Sequence, residues 1–406
     1  MSRYDKASLV QIPSGYKSGT LYSVVPNTTD GDFDFTRGST ATRVNKDGLI
    51  ETVASDVPRL DYPLLDGVVQ DCPALLLEPS RTNSYTYSED FSQTFWKKGA
   101  GLTITLNNAV SPDGSQTATK IQKTSQDYLF LRAFFAPAIV GTLSVFVKKG
   151  NYRYVGIRNN ETAGTTHSVF DFDTETFVTT ASNHSLSFVK HENGWYRLID
   201  YVSVDDNSNY QGIAITDVLG NEISTDIPLN SYVYVWGAQY EQNQSYPTSY
   251  IPTQGSAVTR SADVCSQTVP DGVIGQTEGV VYMDFIAQNT TGQSQSHFWL
   301  GASGNEIGLY GGAQFIFYSS GGVSINGGNI VTGQRYKVAF GYKANDYVAY
   351  INGTQVGTDT SATVPTMSGL ALNSYFNGTE VQKKNISDFK LYNTRLSNTE
   401  LQALTT

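Results

Sequence analysis

Short apolar or alternating runs recur along the whole chain, and clusters of turn-forming residues separate them. Between residues 83 and 254 the runs are LTITL (102–106), TLSVFVKK (142–149), YVGIR (154–158), WYRLIDYVSV (195–204), YQGIAIT (210–216) and YVYVWGAQYE (232–241). NN, PDG, KKGN, DNSN and GNE lie between them. Successive side chains of a strand point to opposite faces, so runs of this length and period predict strands. A spacing of roughly ten residues between turn signals predicts a β-sandwich or jelly roll.

The same texture returns between residues 272 and 406 in GVVYMDFIAQ (279–288), HFWLGA (297–302), QFIFYSS (314–320), YKVAFGYK (336–343) and YVAYING (347–353). Asn345–Asp346 separates the last two runs and predicts a hairpin, and Asn352–Gly353 is a second tight-turn signal favouring positive φ. Near the end, Ser397 and Glu400 stand at capping-box spacing before Leu401 and Leu404, which predicts a short terminal helix.

Residues 1–82 differ. Their extended pieces, such as GTLYSVVP, DFDFTRG, GLIETV and PALLLEP, are too short for ordinary helices, and Pro58, Pro63, Pro73 and Pro79 interrupt them. This zone is expected to pack on something else rather than hold a large core. The expectation is therefore an all-β chain: an extended N-terminal attachment region (1–82), a jelly roll (83–254), a linker (255–271), and a second sandwich (272–406) with a short C-terminal helix. A chain of 406 residues accommodates such a division. The phrase GSTATR (38–43) returns as GSAVTR (255–260), once before the middle domain and once after it. Both are expected to run along domain edges, with Arg43 and Arg260 anchored on backbone carbonyls.

Composition supports β-structure: 37 Gly and 26 Tyr, with only 16% charged residues, suit turn-rich sheets with polar faces. The net charge of −10, without any Lys/Arg cluster, argues against a nucleic-acid partner. Cys72 and Cys265 stand far apart with no CxxC, so a disulfide framework is not expected and an intracellular folding compartment is. The start, MSRYDKASLVQIPSG, does not read as a signal peptide. The longest apolar stretch, YLFLRAFFAPAIVGTLSVFV (128–147), is broken by Arg132, Pro137 and Gly141; it predicts two strands around a turn, not membrane insertion.

FTRGSTATRVNKDGLIETVASDVPRLDY, continued by CPALLLEPSRTNSYTYSEDFSQTFW, resembles a segment of bacteriophage fibre and spike proteins that precedes a carbohydrate-binding-module-like jelly roll. NGWYRL (193–198) and VYVWGAQYEQNQSYPTSYIPTQGSAVTRSAD (233–263) are similar to the late part of that jelly roll and its exit. YKVAFGYKANDYVAYINGTQVGTDT and ISDFKLYNTRLSNTELQAL resemble the closing strands of concanavalin-A-like, laminin-G-like domains. The resemblance implies a structural protein of a phage virion, most simply a head fibre or capsid spike. Its N-terminal region would attach to other virion proteins, its sandwiches would adhere to host-surface glycans, and the assembly would be a homotrimer. A tail-fibre receptor-binding subunit and a virion-associated polysaccharide depolymerase are the alternatives. A secreted bacterial adhesin would call for an export signal, and decoration of a capsid would need no ligand.

Candidate chemistry is sparse. Asp171, Asp173 and Glu175 in FDFDTETF alternate like the carboxylates of sandwich glycosidases, but Asp173–Thr176 has turn composition, which would splay them. His167, His184, His191 and His297 accompany no nucleophile elbow, and GASGN (301–305) fits a strand-to-strand turn. No helical i, i+4 histidine pair is present, so a catalytic metal is not expected, nor any cofactor. VDDNSN (204–209) and DTET (173–176) leave room for a structural Ca²⁺. Sugar stacking needs aromatic faces with polar groups nearby, and Trp299, Tyr310, Tyr318 and Tyr375 are the candidates, with Phe317 beside them. Alternation in QFIFYSS puts Phe315 and Phe317 on one face and Ile316 and Tyr318 on the other. Trp195 and Trp236 are expected in a core. An adhesive rather than catalytic protein is the reading these residues favour.

Overall fold

A computed structural model describes residues 3–134, 140–159, 167–203, 210–268, 271–287, 296–375 and 383–406. The described chain is all-β, apart from three 3₁₀ turns and the C-terminal helix, and folds into two sandwiches. VDDNSN (204–209) lies outside the described residues, as does the turn expected around Pro137.

The expected jelly roll consists of two six-stranded antiparallel sheets. One runs in the order Lys97–Lys98, Phe130–Phe134, Tyr210–Ala214, Tyr154–Asn159, Ser168–Asp171, Thr176–Thr179; the other runs Leu102–Ala109, Ala118–Lys123, Tyr232–Gln242, Gly141–Lys149, Trp195–Val202, His184–Lys190. Leu131, Val147, Ile157, Phe170, Leu198 and Val235 from the two inner faces are fully buried together. The apolar stretch 128–147 divides accordingly: Phe130–Phe134 lies in one sheet and Gly141–Lys149 in the other. Among the described residues no helix is long and apolar enough to cross a membrane.

The second sandwich pairs an eight-stranded sheet with a nine-stranded one, and residues 1–82 are woven into both. In the eight-stranded sheet, the strands Arg59–Asp61 and Ala74–Leu77 extend the series Thr354–Asp359, Tyr347–Ile351, Arg335–Lys343, Glu278–Ala287, Lys384–Tyr392, and Leu9–Gln11 also pairs with the last of these. In the nine-stranded sheet, Tyr16–Lys17, Thr20–Leu21 and Phe33–Thr36 lead into Val264–Thr268 and the later strands. Leu9, Phe33, Phe35, Leu75 and Leu77 are fully buried in the same core as Phe298, Phe317, Phe340 and Phe389. The first zone was expected as a separate attachment region packed on something else; it packs on the second sandwich, but as part of its sheets. Its short extended pieces instead gain their partners up to about 380 residues along the chain, as in the register pair Leu9↔Leu391. Phe33–Thr36 buries alternate residues, whereas Leu9–Gln11 and Ala74–Leu77 are buried at every position, and their backbone groups are satisfied by Lys384–Tyr392, made much later.

The jelly roll is therefore an insertion. The chain leaves the second sandwich at Leu77, builds residues 84–257, and returns at Val264. Exit and return are zipped together, with Arg81 opposite Arg260, Thr82 opposite Thr259 and Asn83 opposite Val258. The expected linker 255–271 thus contributes the strands Val258–Arg260 and Val264–Thr268. The hairpin of Ala41–Val44 and Ile50–Val53 fills the junction: Ile50 packs with Phe146, Trp195, Trp236 and Tyr250 over the outer face of a jelly-roll sheet. Trp195 and Trp236 are buried, as expected, but under this hairpin rather than between the sheets.

The local signals hold. Tyr347–Ile351 is joined to Arg335–Lys343 through Asn345 (φ 61°) and to Thr354–Asp359 through Asn352 (φ 47°) and Gly353 (φ 78°). The helix Asn398–Thr405 starts at a capping box in which the Ser397 hydroxyl accepts from the Glu400 amide and the Glu400 carboxylate accepts from the Ser397 amide. Leu401 and Leu404 seal the outer face of the eight-stranded sheet against Tyr282, Tyr350 and Tyr392.

Candidate functional site

The nine-stranded sheet turns Phe298, Leu300, Ile307, Leu309, Phe315 and Phe317 inward, so Trp299, Gly308, Tyr310, Ile316 and Tyr318 must face away from the core. Across the strands, Ala371, Trp299, Gly308, Tyr318 and Ser324 lie opposite one another in one row. Small residues flank Trp299 on both sides. A Cβ on Gly308 would stand 2.3 Å from the Trp299 ring, so only glycine lets the indole lie across that strand.

Four of the aromatic residues singled out from the sequence meet here. Tyr310 stacks on Trp299 with centroids 5.8 Å apart and planes 12° from parallel. Tyr375 and Tyr318 meet the indole edge-on at 5.1 Å and 5.9 Å. Trp299 donates its Nε1 hydrogen to the Ser296 hydroxyl at 2.8 Å. With 5% of its surface exposed, Trp299 is the foundation, while the half-buried Tyr310, Tyr318 and Tyr375 form the accessible surface. Phe317 is fully buried in the core. Polar groups border the rings: the Glu306 carboxylate accepts from the Tyr375 hydroxyl at 3.1 Å, and Gln314 and Asn326 are hydrogen-bonded to each other at 3.0 Å. Flat aromatic faces rimmed by planar polar groups are what stacking and hydroxyl recognition of a sugar require.

The acidic run FDFDTETF forms the turn of the hairpin between Ser168–Asp171 and Thr176–Thr179, and its carboxylates diverge. Asp171 is gripped by Arg153 at 2.7 and 2.6 Å, Asp173 pairs with Lys149, and Glu175 pairs with Lys190 at 2.6 Å. The Arg153 hydrogen bond overrides the cost of burial and lowers Asp171 to a pKa of about 2. Each acid of DTET thus has a cation of its own.

A second acidic feature was not visible in the sequence. Asp284 and Asp388 are register partners on adjacent strands, on the outer face of the eight-stranded sheet, in a groove with Tyr282, Arg335, Lys337, Lys390 and Leu404. Burial, with Asp284 nearby, raises Asp388. Arg335 holds both oxygens of Asp284, at 2.7 and 2.8 Å, and Lys390 pairs with Asp388. The four groups form a charge ladder across three strands. The histidines are likewise structural: His184 bonds Asp200 at 2.7 Å, burial lowers His167 and His191 to about 3, and burial also holds His297 well below its ordinary value.

Arg43 and Arg260 both sit at the junction of the sandwiches. Arg43 donates to the Leu60 carbonyl at 3.0 Å and pairs with Glu51; Arg260 donates to the Pro79 carbonyl at 2.6 Å. The residue that follows the second repeat touches the first: the Ser261 amide donates to the Ser39 hydroxyl at 2.9 Å. Around Arg260 lies a fully buried network that sequence reading missed. Arg37 reaches Asp263 at 3.1 Å, and Arg59 bridges Asp263 and Glu78, the latter at 2.9 Å. Burial alone would raise Glu78, but Arg260, Arg59 and Lys383 override it and hold the carboxyl far below its ordinary range.

No family model and no curated protein matches the chain. Solved structures do. The CBM40 of a Ruminococcus gnavus IT-sialidase, bound to α2,3-sialyllactose, is 19% identical over 32% of this chain and 84% of its own, with a TM-score of 0.28. Domain 4 of AbnA, a GH43 extracellular arabinanase from Geobacillus stearothermophilus in complex with arabinotriose, is 18% identical over 40% and 84%, with a TM-score of 0.30. A Trypanosoma rangeli sialidase in complex with sialic acid is 9% identical over 71% of this chain and 60% of its own, again at 0.30. The neighbours thus include carbohydrate-binding modules and a sialidase. At these identities and TM-scores, function rests on the geometry of this chain's own surfaces.

Proposed function

We propose that this protein is a non-catalytic glycan-binding component of a bacteriophage virion, in which Tyr310, Tyr318 and Tyr375 form the sugar-contacting surface. The observation that carries the glycan reading is the aromatic set built over Trp299 on the outward face of the nine-stranded sheet. Three half-exposed tyrosines each meet the buried Trp299 ring on this outward face, and Gly308 and Ala371 are small beside it. The phage assignment rests on the resemblance of residues 35–96 and 233–263 to fibre and spike proteins. In this reading the protein is a head fibre or capsid spike, with a tail-fibre subunit as the alternative. It works as a homotrimer, so that several weak sugar contacts add to useful avidity. Glycan-array binding by the purified protein, compared with a Tyr318→Ala variant, tests the site; an array pattern unchanged by the substitution refutes it. Labelling of intact virions with an antibody tests the location.

One observation favours a second reading, a polysaccharide depolymerase: Asp284 and Asp388 are register partners in one groove. Retaining hydrolysis needs one protonated acid and one free carboxylate, roughly 5 Å apart. Burial raises Asp388 above the ordinary carboxylate value, against the pull of Lys390. The nucleophile is the weak point, because Arg335 occupies both oxygens of Asp284. Release of reducing ends from host polysaccharide, abolished by Asp388→Asn, would establish this reading in place of adhesion.

A further inference from the structure

A cavity of about 150 Å³ lies where the two sandwiches meet, lined on one side by the hairpin of Ala41–Val44 and Ile50–Val53. The jelly roll contributes Arg197 and His191 to its lining; the second sandwich contributes Asp61, Glu78 and Lys383. The hydrogen-bonding capacity of this lining is unequally spent. Both oxygens of Glu78 accept from Ser249, at 2.8 and 2.6 Å, and one also takes Arg59. Asp61 accepts from the Val44 amide and the Asn385 amide group, each at 2.8 Å. The acceptors are therefore engaged.

Donors are left over. Arg197 uses its terminal nitrogens on the Thr248 carbonyl and the Ser144 hydroxyl, both at 2.8 Å, while its Nε hydrogen has no partner; the residue is 7% exposed. His191, also 7% exposed, has no partner at Nδ1. Lys383 donates to the Pro247 carbonyl at 3.1 Å and stands 3.7 Å from Glu78, beyond hydrogen-bond range. Charge is left over as well. Setting aside the Arg43–Glu51 pair, four buried cations (Arg37, Arg59, Arg197, Arg260) face four buried carboxylates (Asp61, Glu78, Asp263, Glu241), and the partly buried Lys383 adds a fifth cation. Water satisfies leftover donors, but it brings no opposite charge to Lys383, whose charged form burial disfavours.

We propose that this cavity is a binding site for a small monocarboxylate anion, held by Arg197 and His191 of one sandwich and Lys383 of the other. A singly charged anion balances the surplus, and its oxygens match the unspent donors. The volume, several times the roughly 30 Å³ that one water occupies, admits an anion of acetate size. Because its partners come from both sandwiches, a bound anion fastens one to the other.

The test uses the full chain. Sodium acetate is titrated against sodium chloride at constant ionic strength, with the thermal midpoint and saturation transfer to the acetate methyl protons as readouts. The expected result is acetate-specific stabilisation with saturation transfer, and acetate binding weakened about ten-fold or more in Lys383→Met. Equal effects of acetate and chloride, or absence of saturation transfer, overturn the site. Stabilisation by inorganic phosphate but not by acetate overturns the monocarboxylate assignment. Should Lys383→Met fail to fold, the wild-type measurement decides alone, with His191→Phe as the second variant.

Discussion

Glu78 and Asp263 each donate a backbone amide to the other at the point where the chain leaves the second sandwich and returns to it. The Asp263 amide donates to the Glu78 carbonyl at 2.9 Å, and the Glu78 amide donates to the Asp263 carboxylate at 2.8 Å. Their carboxylates carry Arg37, Arg59 and Arg260, whose side chains are almost wholly buried. Three buried guanidinium groups depend on two acids. Asp263→Asn or Glu78→Gln strands at least one of them, so each is expected to cost about 3–5 kcal/mol, the usual loss when one partner of a buried pair is removed. Denaturant unfolding monitored by tryptophan fluorescence measures it. A loss below about 1 kcal/mol would place the network among ion pairs of surface strength.

Acid stability follows from the buried histidines. Burial lowers His167 and His191 to pKa values of about 3, while an unfolded histidine titrates near 6.5. The unfolded chain therefore binds more protons between these values. Stability is fully present above about pH 6.5 and falls progressively as the pH drops toward 3. Glu78, held low, adds the same sign of dependence below about pH 4.5, its unfolded value. His167→Gln is expected to flatten the curve between pH 6.5 and 3. An unaltered slope in this variant would show that His167 is not the titrating group.

Sugar binding is expected to depend on the ring faces and on the spacing beneath them. Tyr310→Ala and Tyr318→Ala each remove one stacking face, worth about 1 kcal/mol or roughly five-fold in affinity. Gly308→Val should do more than either, because its side chain would push into the Trp299 ring and displace the foundation of the whole set. Tyr128→Ala, an exposed aromatic on the other sandwich, is the control and should leave binding unchanged. Calorimetric titration of whichever array ligand binds best separates these cases.

Much of this was legible in the sequence wherever the signal is local. Asn352–Gly353 marks a hairpin because positive φ is needed there, and Ser397 with Glu400 marks a helix start because the cap lies within four residues. Alternation put Phe317 and Tyr318 on opposite faces, but which face is core is set by the packing of the second sandwich, which buries Phe317 and leaves Tyr318 half-exposed. What escaped was set by pairing over long distances. Nothing in Leu9–Gln11 states that its partner is Phe389–Leu391. Nothing in PALLLEP states that its last glutamate meets an aspartate 185 residues later. Asp284 and Asp388 are unremarkable apart and become a pair only through register.

That long-range weaving makes the strongest prediction about the chain as a whole. A fragment of residues 264–406 lacks Leu9, Phe33, Phe35, Leu75 and Leu77, all fully buried in its core. Each such side chain is worth about 2–5 kcal/mol against alanine, and their combined loss exceeds the 5–15 kcal/mol stability of ordinary domains. The fragment is expected to be unfolded by circular dichroism and proteolysis. Co-expression with residues 1–83 should restore it, because those strands add by antiparallel pairing and need no covalent link. The jelly roll behaves differently. Residues 84–257 keep both sheets and their shared core, so this piece should fold alone. It would nonetheless expose Phe146, Trp195 and Trp236, now covered by Ile50 and its hairpin, and is expected to associate in a concentration-dependent way. A soluble, monomeric, protease-resistant 264–406 fragment would contradict the intertwined architecture, since its core would have closed without the N-terminal strands.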